Sequence, residues 1–231
     1  MSISDELEQR LVYVADHLGE MLCREVVFVG GCVTGLLVTD PVSRQSIRMT
    51  EDVDLIVDVL GWPRYVELQE SLRARGFREA MNEDVLCRWR LDGLIVDVMP
   101  VDEKILKFTN RWYKGAIQSA QTYEFRDGIC INVVSRPYFI ATKMEAYKGR
   151  GGGDFIGSRD IEDIFMLIDG CDQLEEEVAT ETGELIRYIS ATLSSFKRER
   201  DYESVLQSTT QGYADRSRML MDRVERLIKL N

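Results

Sequence analysis

Apolar residues in this chain recur at two periods, and the change from one to the other marks its organisation. Leu7, Leu11, Val14, Leu18 and Met21 fall three or four apart, as on one face of a helix running from Asp5 to about Leu22, with Ser4 placed to cap it. Val26–Gly30 is a short apolar run of strand type, and Cys32–Val38 reads as a brief helix behind two glycines. The polar stretch Asp40–Arg48 reads as a loop, and Asp52–Val59 alternates as a second strand. Pro63 suits the first turn of a helix ending near Arg75, with Gly76 as its C-terminal cap. Two Asp-Gly pairs predict hairpins: Asp92-Gly93 joins Val85–Leu91 to Leu94–Met99, and Asp127-Gly128 joins Tyr123–Arg126 to Ile129–Val134. After Ser135 only helical periodicity remains, interrupted by the glycine-rich segment Gly149–Ser158. The pattern therefore predicts an α+β protein: a mixed sheet with flanking helices over 1–134, then a helical domain over 135–231, read as a small bundle.

The alternation also places chemistry. Asp52 and Asp54 in RMTEDVDLIVD project from one face of one strand, and Asp97 in GLIVDVMP lies on the second arm of a hairpin, so three carboxylates can converge. Like charges at close range oppose each other's ionisation unless a cation compensates them. An all-oxygen donor set suits Mg²⁺, or Mn²⁺, which takes a few carboxylates and completes its shell with water and substrate phosphates. Upstream, Gly30 and Gly31 in VVFVGGCVTGLL follow a strand and open a helix. There a backbone without Cβ atoms can come close to a phosphate and offer it unpaired N–H groups.

Composition narrows the function classes. A net charge of −11 argues against charge-driven binding to duplex nucleic acid, while leaving room for an RNA end or for a cationic small molecule, which an acidic protein attracts. The basic residues gather in two stretches, Lys104, Lys107, Arg111 and Lys114, then Lys143, Lys148, Arg150 and Arg159. Five scattered cysteines lack a Cys-x-x-Cys pair, and most sit in apolar surroundings that read as reduced buried thiols. The single histidine, His17, excludes zinc sites built on several imidazoles. No apolar run reaches membrane-spanning length, and the acidic, polar start lacks a secretory leader, so a cytoplasmic protein without membrane contact is expected.

Taken in order, Gly30 and Gly31, then Arg48, Thr50, Asp52 and Asp54, then Lys143, then Arg159, Asp160 and Asp163 form a pattern. It resembles the nucleotidyltransferase superfamily typified by DNA polymerase beta, and within it the AbiEii-like toxin nucleotidyltransferases, over roughly residues 26 to 169. Cys32 departs from the pattern, standing where many relatives carry Ser or Thr. The resemblance implies a nucleotidyltransferase-type sheet and a metal-dependent enzyme moving a nucleotide monophosphate from a nucleoside triphosphate to an acceptor hydroxyl. In that scheme Asp52, Asp54 and Asp97 are catalytic and hold Mg²⁺, with Asp97 also a candidate proton acceptor. Gly30, Gly31, Arg48, Thr50 and Lys143 contact the nucleotide, and Arg150, Arg159, Asp160 and Asp163 are further candidates from the helical domain, which would contribute to the nucleotide or acceptor site. The implied setting is a toxin–antitoxin system, with tRNA or another cellular target as acceptor and an antitoxin protein as partner. A small-molecule enzyme of the aminoglycoside-modifying kind and a non-catalytic nucleotide-binding module are the alternatives.

Overall fold

A computed structural model of the chain describes residues 2–80, 87–150 and 153–231. Among the described residues the fold is mixed α/β, with seven strands in one mixed sheet and helices making up the rest of the regular structure. The chain divides into two compact units, one formed by Met1–Val33 with Arg48–Ser135, the other by Thr34–Ile47 with Arg136–Asn231.

All seven strands belong to the first unit: β1 (Val26–Val29), β2 (Asp52–Val57), β3 (Arg78–Glu79), β4 (Arg88–Leu91), β5 (Leu94–Pro100), β6 (Gln121–Glu124) and β7 (Cys130–Val133). They lie in the order β3-β4-β5-β2-β1-β7-β6. β5 runs parallel to β2, β7 runs parallel to β1, and the other neighbours are antiparallel. Both Asp-Gly hairpins form. Asp92 and Gly93 both take positive φ, the pair of left-handed conformations that a tight two-residue turn requires and that Asp and Gly tolerate. Val85 and Leu86, expected at the start of the first hairpin, lie outside the described residues, as do Gly151 and Gly152 of the glycine-rich segment.

The first helix spans Ile3–Glu25 and packs against β1 and β7. Its cap is Ser2, not Ser4: Ser2 accepts from the Asp5 N–H while the Asp5 carboxylate accepts from the Ser2 N–H, satisfying two donors that the helix start leaves unpaired. Leu7, Leu11, Val14 and Leu18 are buried as their spacing predicts, but Met21 is 77% exposed and Leu22 is buried instead. The cause is Gly19, whose φ of 66° and ψ of 163° interrupt the helix and reset its phase. Downstream of β1 the expected helix over Cys32–Val38 is a 3₁₀ turn, Gly31–Val33, followed by one helical turn, Thr34–Leu37. The expected loop over Asp40–Arg48 contains a short helix, Pro41–Arg44, capped by Asp40.

In the second unit every described element is a helix: the two short ones just named, then Arg136–Gly149, Arg159–Gly170, Leu174–Ala179, Gly183–Phe196, Tyr202–Thr209 and Ala214–Ile228. Ile164, Phe165, Leu167, Leu185, Ile189, Leu193, Leu220 and Val224 are wholly buried and form its core. A polar network accompanies this core. Arg216 donates to both oxygens of Asp169, each at 2.9 Å, and to Asp40 and Ser43. Burial raises the Asp40 pKa, but hydrogen bonds from Arg216 and Ser43 outweigh it and hold the group at about 2. No helix among the described residues is long and apolar enough to cross a membrane.

Candidate metal centre

Strand pairing brings the three aspartates together. On β2, Val53 and Leu55 are wholly buried, which leaves the partly exposed Asp52 and Asp54 on the opposite face. On β5, Asp97 pairs in parallel register with Asp54, so the two side chains lie side by side on one face. One carboxylate oxygen from each of Asp52, Asp54 and Asp97 lies within 4.8 Å of the others. Three hard oxygen donors at that spacing suit Mg²⁺ or Mn²⁺, whose remaining positions would go to water or phosphate.

Gly30 abuts this cluster. Its φ is +75°, and a Cβ there would sit 2.7 Å from Cγ and 2.9 Å from Cβ of Asp54. The second distance matters because Asp54 Cβ is fixed by its strand and cannot swing aside. Gly30 therefore serves two requirements, a left-handed backbone and room for Asp54. Gly31 begins the 3₁₀ turn behind it and is buried. The Cys32 thiol donates to the Val29 carbonyl at 3.1 Å, directed into the fold where a serine or threonine of the resembled family would offer a hydroxyl.

Arg48 and Thr50 lead into β2. Arg48 is half-buried, while Thr50 is buried, donates weakly to the Asp52 carbonyl at 3.3 Å, and receives Arg10 on its own carbonyl at 2.6 Å. Arg10, itself paired with Glu6 at 2.9 Å, thus pins the entry of the strand that carries two of the aspartates. Sequence reasoning missed this contact, since forty residues separate the partners.

It also missed Arg88. On β4 this residue stands opposite Asp97 in antiparallel register, and its guanidinium takes both oxygens, Nε on Oδ1 at 2.9 Å and Nη2 on Oδ2 at 2.8 Å. The signal was available: counting outward from the Asp92-Gly93 turn pairs Leu91 with Leu94, then Arg90 with Ile95, Trp89 with Val96 and Arg88 with Asp97. The neighbouring Cys87 is buried, and burial together with the charge on Asp97 and Asp54 pushes its thiol up to about 12. A thiol so held stays protonated and is a poor nucleophile at neutral pH.

The remaining candidates gather in the helical unit. Lys143, on the Arg136–Gly149 helix, reaches Asp160 at 3.3 Å and Asp163 at 2.6 Å. Both acids lie on the Arg159–Gly170 helix, three residues apart and so on one face, and both are buried. Arg150 reaches Asp160 at 2.5 Å, whereas Arg159 is exposed on the first turn of that helix. His17 directs Nδ1 to the Tyr13 carbonyl at 2.9 Å and its ring contacts that of Tyr13, a local helix-surface arrangement. Cys23, Cys32, Cys87 and Cys171 are buried free thiols, while Cys130 is exposed. No protein-family model matches the chain, and no curated protein sequence matches it.

Proposed function

We propose that the chain is a metal-dependent nucleotidyltransferase, transferring a nucleotide monophosphate from a nucleoside triphosphate to an acceptor hydroxyl. The observation that carries this reading is the convergence of Asp52, Asp54 and Asp97 within 4.8 Å, beside a glycine that leaves space for one of them. On this reading the seven-stranded sheet is a nucleotidyltransferase core, and the helices after residue 135 are the bundle of the resembled family. Asp52 and Asp54 would hold Mg²⁺, and Gly30 and Gly31 would let backbone come close to the triphosphate. When bound, Mg²⁺ supplies neutralisation of the charge that develops on the α-phosphate and the departing pyrophosphate. Asp97 would complete a second metal site and could accept the acceptor's proton, since Arg88 uses one lone pair on each of its oxygens and leaves the others. Lys143, and with it Arg150, Asp160 and Asp163, supplies the family's helical motif.

The acceptor favoured by the resemblance is the end of a tRNA or another cellular target in a toxin–antitoxin system in the cytoplasm. The net charge of −11 favours a second reading, a cationic small-molecule acceptor. Growth arrest on expression supports the first, whereas harmless expression with resistance to a cationic drug supports the second. The test is incubation with each of four α-labelled triphosphates in Mg²⁺, together with cellular RNA, protein and small-molecule fractions. Label should pass to one fraction and the transfer should stop in EDTA. No label transfer from any triphosphate would overturn the proposal.

A further inference from the structure

Between the first helix and the Asp127-Gly128 hairpin lies a trough of about 730 Å³. Asp5, Glu8, Val12 and Asp16 recur at helical spacing along one wall, and Phe125 to Ile129 of the hairpin form the other. Val12, Tyr13, Phe125 and Ile129 supply its apolar lining. Asp16 and Ile129 also border a further hollow of about 380 Å³, which carries the trough along the helix past Gly19 to Cys23 and Cys130. The space is therefore elongated, since at about 1.5 Å per residue the helix from Asp5 to Cys23 runs roughly 25 Å.

Its charge is mostly of one sign. The trough carries the carboxylates of Asp5, Glu8, Asp16 and Asp127 and the guanidinium of Arg126. Asp127 accepts from the Ile129 N–H at 3.3 Å and Asp5 accepts from Ser2, uses that leave both groups charged and with lone pairs for another donor. Asp16 and Asp127 are exposed and stand on opposite walls.

An occupant complementary to this trough is elongated, cationic at more than one point and apolar between its charges. We propose that the trough binds a linear aliphatic polyamine. Its methylenes lie against the apolar lining, and its ammonium groups, which donate and do not accept, meet carboxylates from both walls. An extended peptide suits the lining less well, because every residue brings a backbone N–H and C=O that apolar side chains leave unpaired. None of Asp52, Asp54 and Asp97 borders the trough, so this site stands apart from the reading of those aspartates as a metal centre.

The test is calorimetric titration of the full chain with spermine at low ionic strength. Wild type should bind one equivalent, and putrescine, a diamine, should bind about tenfold more weakly. The double variant Asp16→Asn with Asp127→Asn keeps size and the turn hydrogen bond, so it should melt near wild type while spermine affinity falls about tenfold. Asp215→Asn, which removes an exposed carboxylate of the second unit, should bind as wild type does. A wild-type chain that ignores spermine would overturn the proposal. Unchanged affinity in the double variant, or an equal loss in Asp215→Asn, would also overturn it, by reducing binding to the general attraction of a chain of charge −11. Loss of spermine from Asp54→Asn with retention by the double variant would place the ligand at the three aspartates instead, and so reject the trough. Acetylated and amidated tetralysine, equal to spermine in charge, should bind more weakly than spermine; tighter binding would reject the polyamine in favour of a peptide.

Discussion

Two clusters of carboxylates lie one in each unit, and they differ in how their charge is met. In the helical unit, Asp160 and Asp163 face Lys143 and Arg150, two acids against two bases, with both acids almost wholly buried. In the sheet unit, Asp52, Asp54 and Asp97 share one row, and Arg88 pairs with Asp97. A buried acid pair matched by its own bases helps to hold its two helices together. Three carboxylates with an oxygen each within 4.8 Å of the others, two of them partly exposed, form a hard-oxygen donor set open to a divalent cation. The sheet cluster is set apart by its third acid and by the partial exposure of Asp52 and Asp54, whereas both acids of the helical cluster are buried.

The comparison breaks most visibly at Asp54. Asp54→Asn keeps size and hydrogen-bonding capacity while removing charge, so nucleotide transfer should fall a hundredfold or more while the melting temperature stays near wild type. Measured transfer near wild type would make the sheet cluster as structural as the helical one.

Lys143→Ala should show the opposite signature. It leaves two buried acids without that base, a change that costs about 3–5 kcal/mol when a buried ion pair loses one partner, so denaturant unfolding should shift strongly. Unaltered stability with triphosphate binding weakened by about 1.5–3 kcal/mol would instead make Lys143 chiefly a phosphate ligand.

Gly30→Ala sharpens the geometry of the first cluster. The added methyl meets Asp54 and a left-handed backbone at once, so Mn²⁺ affinity should drop at least tenfold and stability should fall by about 1–3 kcal/mol. Mn²⁺ titration with wild-type affinity would remove Gly30 from the centre.

The smallest effect expected is a pH dependence confined to the helical unit's other network. The folded-state pKa of Asp40, about 2, lies below its ordinary 3.8, so its contribution to stability is complete above about pH 4 and fades as pH falls toward 2. Asp40→Asn should flatten the stability profile across that window, as read by urea unfolding at successive pH values. A profile identical to wild type would show that the Arg216 contact contributes nothing.

Much of the sheet cluster was legible because it is written in short-range patterns. The alternation of Val53 and Leu55 with Asp52 and Asp54 fixes a face, and Asp92-Gly93 fixes the hairpin that brings Asp97 back. The parallel pairing of β2 with β5 depends on forty intervening residues, and no local period encodes it. The same limit hid Arg10 on the Thr50 carbonyl and Arg216 on Asp40 and Asp169. Nor does anything within Thr34–Ile47 announce that it packs with the helices of the second unit. Met21 and Ser4 mark a different limit: one glycine with a positive φ shifts a helix face, and one serine two positions earlier takes the cap. Arg88 was readable too, by counting outward from the Asp92-Gly93 turn to the position opposite Asp97.

The central claim is that Asp52 and Asp54 bind a divalent ion beside Gly30. Its most direct test is a crystal of the full chain equilibrated with Mn²⁺, examined by anomalous scattering. The account predicts one strong peak at direct coordination distance from both carboxylates, with Arg88 still paired to Asp97. An empty cluster, or Mn²⁺ bound at another place while Asp52 and Asp54 face only water, would contradict it.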